Sequence, residues 1–110
     1  MSRRMTEKQL TKAVIDHARS QGWRVAHFRT AQTARGTYIT PVQGDGAGFP
    51  DLVLVRGARI VFAELKVKSN QLTPHQLEWM QALQETNVET YIWRDNDYEA
   101  GTIFRVLRRV

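Results

Sequence analysis

Gly48-Phe49-Pro50-Asp51-Leu52-Val53-Leu54-Val55-Arg56-Gly57-Ala58-Arg59-Ile60-Val61-Phe62-Ala63-Glu64-Leu65-Lys66 is the stretch on which this chain turns. Two apolar, β-branched runs flank Gly57-Ala58, and a Gly-X link between such runs signals a two-residue hairpin of type II′. With that loop Arg56 faces Arg59, and counting back along both strands sets Asp51 opposite Glu64. A four-residue loop keeps the same pairing. Opposed side chains share a face with Cβ atoms about 4.5–5.5 Å apart, and the period of two adds Lys66 to that face. Two acids and a lysine therefore converge.

Like charges placed opposite each other destabilise a sheet, and the neighbours Val53, Val55, Ile60 and Phe62 make this face largely apolar. A bound cation supplies the reason for tolerating the pair. Carboxylate oxygens are hard ligands suited to Mg²⁺, with Mn²⁺ as a substitute, and Mg²⁺ tends to take one or two carboxylates together with waters and substrate phosphate oxygens. The pattern predicts a site for cutting or transferring phosphodiesters.

Pro50-Asp51 followed by Glu64-Leu65-Lys66 resembles the PD-(D/E)XK nuclease motif, and Gly48-Phe49-Pro50-Asp51 resembles the form it takes in the virus-type replication-repair nuclease (VRR-NUC) domain. Glu7 stands where that family places an acid in its first helix, and Gln76-Leu77-Glu78-Trp79 resembles its Gln-x-x-Trp. The resemblance implies an α/β, restriction-endonuclease-like core with the active site where the hairpin strands diverge. It implies a metal-dependent endonuclease acting on DNA, branched or four-way-junction DNA in replication or repair, commonly in a phage setting and as a homodimer. On it, Asp51, Glu64 and the Leu65 carbonyl hold the metal, and Lys66 holds the attacking water or the developing charge. Glu7 assists a second metal or positions water, and Gln76 joins the site. The rival classes are a DNA-binding module of the same fold that does not cut, and a nuclease acting on RNA or free ends.

With 110 residues, 42% hydrophobic and 25% charged, residues 1–110 fit a single domain with one core. No long apolar run or apolar leader is present, which predicts a soluble, cytoplasmic protein without a membrane partner. There are no cysteines, and His17, His27 and His75 lack zinc-ligand spacing. Sixteen Lys and Arg against eleven Asp and Glu give a formal charge of +5, the footprint of a nucleic-acid partner.

Thr6-Glu7-Lys8-Gln9 has capping-box spacing, and Leu10, Val14, Ile15 and Ala18 continue at helical spacing, predicting a helix over 6–21. In its opening turn Glu7 also complements the helix dipole. Residues 23–30 alternate as a strand, and 31–47 read as a long mobile loop in which Tyr38-Ile39-Thr40 is a weak strand signal. Arg29 and Arg35 there, and Lys68 beyond the hairpin, are candidate phosphate contacts. Thr73-Pro74-His75-Gln76 opens a helix over 74–85 with Leu77, Met80 and Leu83 on its inner face. Gln76 closes the capping box, and Trp79 suits core packing better than base stacking. Residues 88–94 form a strand, Asp95-Asn96-Asp97 a turn and helix cap, and Ile103, Val106, Leu107 and Val110 a last helix whose Arg105, Arg108 and Arg109 face solvent. The predicted order is α-β-β-β-α-β-α, a mixed sheet with an antiparallel hairpin flanked by helices.

Overall fold

The computed structural model describes residues 4–28, 31–32, 38–39 and 43–108. In chain order the elements are α1 (Glu7–Ser20), β1 (Arg24–His27), β2 (Ala31–Gln32), β3 (Tyr38–Ile39), β4 (Leu52–Arg56), β5 (Arg59–Lys66), α2 (Pro74–Gln84), β6 (Glu89–Arg94), α3 (Asp95–Glu99) and α4 (Thr102–Leu107). The hairpin β4–β5 is the centre of a mixed sheet of order β1-β4-β5-β6. Its turn is of the predicted kind, with Gly57 at φ 59° and no positive φ at Ala58. Arg56 pairs with Arg59 and Leu52 with Ala63, so the predicted register holds. β1 joins β4 antiparallel, whereas β6 returns parallel to β5 through the α2 crossover.

That register sorts side chains between two unlike faces. Leu52, Leu54, Val61, Ala63 and Leu65 are fully buried on one of them, in a single cluster with Leu10, Val14 and Ala18 of α1 and Ile103 and Leu107 of α4. The four-residue spacing in α1 puts its three residues on one stripe, and burying a Leu or Val contributes about 1.5–3 kcal/mol each. Thr6 and Gln9 close the predicted capping box in both directions. The opposed arginines are also neutralised as neighbours: Arg56 and Arg59 each lie 4.9 Å from the Trp23 ring centroid. Arg59 clamps Glu89 at 2.8 and 2.7 Å, and Arg56 donates to the carbonyls of Gln21 and Leu107. The hairpin tip is thereby tied to the ends of α1 and α4.

Three expectations need correcting. The stretch predicted as a loop contains, besides the Tyr38–Ile39 strand that the sequence signals (β3), a strand β2 paired antiparallel with it, while Arg29 and Arg35 lie outside the described residues. The Asp95 region does cap a helix, as expected, since Asp97 accepts from Arg94 N–H at 2.8 Å at the start of α3 and Asp95 is buried against Arg4 and the Lys68 N–H. Ala100 and Gly101 N–H then close α3, so the single last helix becomes two. In α2 only Met80 is buried and Leu77 is 45% exposed; the first turn reaches β5 through the Gln76–Glu64 hydrogen bond instead of through Leu77.

Candidate active site

β4 and β5 position the two acids. Phe28 N–H donates to the Asp51 carbonyl at 2.9 Å, which extends the β1–β4 ladder by one residue and fixes Asp51 at its end. Across the hairpin, the Leu65 N–H donates to Asp51 Oδ2 at 2.9 Å. The Leu65 side chain points into the core, so only its main chain faces the site. Glu64 is 1% exposed, and Lys66 Nζ lies 4.0 Å from Glu64 Oε2 with its own side chain 12% exposed. The two acids and the lysine do come together on one face.

α2 delivers the fourth group. Gln76 Nε2 donates to Glu64 Oε2 at 2.9 Å while its Oε1 accepts from Thr73 N–H at 2.9 Å. The capping role and the site contact are therefore simultaneous: the cap holds the amide oxygen, which leaves the NH₂ aimed at Glu64. This arrangement depends on how closely the Gly48–Pro50 segment crosses α2. A Cβ on Gly48, whose φ is +80°, would stand 2.5 Å from the His75 carbonyl carbon and 2.6 Å from the Gln76 nitrogen. Phe49 then wedges edge-on against Phe28 at 5.1 Å and Trp79 at 4.9 Å, and Trp79 Nε1 donates to the Asp45 carbonyl at 2.8 Å. Trp79, against the expectation of core packing, lies outside the core cluster and packs instead as a strut for the site's loop.

Electrostatics show how tightly the groups are coupled. Burial raises the Glu64 pKa from an ordinary 4.5 to about 8, and the Asp51 charge adds to the rise while Lys66 opposes it. Burial also raises Asp51, against the lowering effects of the Leu65 N–H, Glu64, His27 and Lys66. Glu7 is raised by burial and by the Asp51 charge, and Lys66 again opposes. Glu7 on α1 thus shares the field of the hairpin acids. Lys68 is not drawn into the cluster; its N–H donates to Asp95 and its carbonyl accepts from Arg94.

The donors suit a hard cation. Glu64 Oε1 is buried and receives no hydrogen bond from a polypeptide donor, and the group beside it is a second acid, Asp51, so the oxygen is left to a proton shared with Asp51 or to a cation. Among the described residues no three His, Asp or Glu side chains close up into a complete ligand set. Two carboxylates and a main-chain carbonyl with the remaining positions left to water and phosphate is what Mg²⁺ takes. Two contributors were not singled out from sequence: His27, whose field acts on Asp51, and Gly48 as a spacer. Gly48 stands in the motif, but only the crossing of α2 reveals what it is for.

The comparisons with known proteins agree with this geometry. A solved structure described as a VRR_NUC domain protein superimposes with a TM-score of 0.63 at 21% identity, over 93% of this chain and 88% of that one. No curated protein matches the chain. The sequence profile of the VRR-NUC domain matches residues 5–95, a span that takes in Glu7, the hairpin and Gln76, and the chain therefore belongs to the VRR-NUC domain family, whose function is of nuclease type.

Proposed function

We propose that the protein is a metal-dependent endonuclease that hydrolyses phosphodiester bonds in DNA, with branched DNA such as four-way junctions as its substrate class. The observation that carries this is the half-buried Asp51 beside the fully buried Glu64, with Glu64 Oε1 taking no polypeptide donor and Lys66 at 4.0 Å from Oε2. Asp51, Glu64 and the Leu65 carbonyl would hold Mg²⁺ or Mn²⁺, which when bound polarises a phosphate and lowers the pKa of water. Lys66 meets the negative charge that grows on the phosphate oxygens, and Glu7 orients the water or supports a second ion. Gln76 restrains Glu64 so that Oε1 stays presented. One acid–base side chain is worth about 10²–10⁴-fold, whereas enzymatic accelerations begin at about 10⁶, so Lys66 alone does not suffice.

The working unit is a homodimer in this proposal. One chain carries one site, and resolving a four-way junction takes two symmetric cuts, which a two-fold pair supplies. The register puts Val55 and Ile92, 40% and 38% exposed, on the sheet face that carries Glu64, leaving apolar surface that a second copy would bury. Matched junction, flap, duplex and single-stranded substrates, each with Mg²⁺, Mn²⁺, Ca²⁺ or EDTA, test the function. Cutting is expected with the first two ions, and binding with little cutting in Ca²⁺, whose larger shell fits in-line attack less well. Activity that survives EDTA ends the metal assignment. Light scattering at micromolar concentration, paired with a cruciform plasmid, tests the dimer: a monomer that only nicks removes it and leaves the nuclease standing.

The raised pKa of Glu64 also predicts a proton count. With a folded value of about 8 against 4.5 ordinarily, metal-free Glu64 carries a proton at pH 7. The folded state then binds more protons than the unfolded state, so its stability falls as pH rises from about 4.5 to 8 and levels off above. Mg²⁺ binding at pH 7 displaces close to one proton, and this release fades as pH passes 8. Calorimetry in buffers of different ionisation enthalpy reads the number directly. Glu64→Gln should bind Mg²⁺ weakly and release none.

A further inference from the structure

Lys8, Lys12, Ile15 and Arg19 follow one another at intervals of four, three and four residues, so on α1 they form one stripe. The stripe borders a groove whose other wall is β1, the edge strand of the sheet. Two hollows of about 540 and 510 Å³ make up the groove and share Ile15 and His27. The first reaches Glu7, Asp51 and Phe28; the second reaches Arg19 and Arg24. The groove therefore begins at the candidate active site and leads away from it for about 18 Å, the rise of α1 from Glu7 to Arg19 at about 1.5 Å per residue.

Its lining has the chemistry of a strand-binding track. Lys8, Arg19 and Arg24 are exposed and make no side-chain hydrogen bond or ion pair among the described residues. Lys12 pairs with Asp16 one turn on, and an exposed pair of this spacing is worth only about 0.3–0.5 kcal/mol, little against a phosphate. At the active-site end the half-buried Phe28 ring is braced edge-on by Phe49 at 5.1 Å. Cations along a groove with an aromatic ring at its mouth are how single strands are held: phosphates on the cations, bases on the ring. Each hollow lies in the range of about 300–1,000 Å³ typical of small-molecule sites, room for a nucleotide and not for a duplex.

We propose that this groove binds a few nucleotides of unpaired nucleic-acid strand leading out of the active site, with phosphates on Lys8, Lys12, Arg19 and Arg24 and the first base on Phe28. The proposal rests on the nuclease assignment and refines it: substrates that offer an unpaired strand beside the cut, at a branch, flap or end, are preferred over uninterrupted duplex.

The test is fluorescence anisotropy in Ca²⁺ with a short single-stranded oligodeoxynucleotide and a blunt duplex, comparing the wild type with Arg19→Ala/Arg24→Ala. Single-strand affinity should fall about tenfold, and the log–log salt slope should flatten by about 1.4, two contacts at about 0.7 each. Blunt-duplex affinity should change much less. Arg19→Gln/Arg24→Gln repeats the measurement with the stems kept, and melting curves confirm that both variants are folded. Unchanged single-strand affinity and slope in the folded variants overturns the groove. Lost single-strand binding in a protein that cuts nothing with any metal upholds the groove and removes the nuclease assignment; Mg²⁺-dependent cutting with wild-type binding by the variants does the reverse.

Discussion

Asp51→Ala and Glu64→Ala are expected to reduce cleavage to background while the protein stays folded and still binds DNA. Each substitution removes one acid of the pair, and with it the cost of keeping Glu64 protonated and Asp51 partly desolvated at pH 7, so the fold loses a source of strain along with the ligand. Against that relief, Glu64→Ala strands the Gln76 NH₂ and Asp51→Ala strands the Leu65 N–H, at about 1–3 kcal/mol for each unsatisfied group. Glu64→Gln keeps the volume and separates the loss of charge from the loss of packing. Lys66→Ala should still bind Mg²⁺ but cut about 10²–10³-fold more slowly, the usual cost of one group aimed at developing negative charge. Metal titration by calorimetry, melting curves and cleavage assays on the same preparations read all three quantities. Normal cutting by Glu64→Ala would end the assignment of the hairpin as the metal site.

Gly48→Ala is expected to cost about 2–5 kcal/mol and to impair cleavage as well. A non-glycine residue in the left-handed region costs about 1–2 kcal/mol, and overpacking adds typically about 1–3 kcal/mol. The added methyl would meet the His75 carbonyl carbon at 2.5 Å and the Gln76 nitrogen at 2.6 Å, backbone atoms that move only if the first turn of α2 moves. That turn carries Gln76, so the same displacement pulls its amide from Glu64 Oε2. Gly44→Ala is the control: its φ is +70° but nothing lies within 4 Å of the new Cβ, so it pays the conformational term alone. Urea unfolding and kcat on both variants decide the point. Equal stability losses would mean that the close crossing of α2 contributes nothing.

Local chemistry by itself determined the centre of this protein. The β-branched runs and the Gly57-Ala58 turn specify strand, turn and register together, because a period of two leaves one phase that puts Leu52, Leu54, Val61 and Leu65 inside. The same phase places Asp51 across from Glu64, so the acidic pair could be read before any coordinates. Capping boxes at Thr6 and Thr73 depend on residues three apart and were equally legible. The split at Gly101 was less so, since Ile103 and Leu107 satisfy helical spacing whether or not the helix continues back to Asp95.

What only the tertiary structure decided involves groups far apart in the chain. Whether Gln76 caps, or touches Glu64, or does both depends on the distance between α2 and β5, set by the crossing at Gly48. Asp95 reads only as part of a turn and helix cap; that it is buried is settled by Arg4, from the other end of the chain, and the Lys68 N–H, which meet it in the interior. Arg56 facing Arg59 follows from the turn, but what holds the two there is the Trp23 ring, 4.9 Å from each, and the α4 carbonyls that accept their hydrogen bonds. The groove along α1 exists only because β1 lies at the sheet edge beside it. Periodicity reports which face a side chain takes, since that follows from backbone geometry within a few residues; it carries no information about which other element will meet that face, because that is settled by the packing of the whole core.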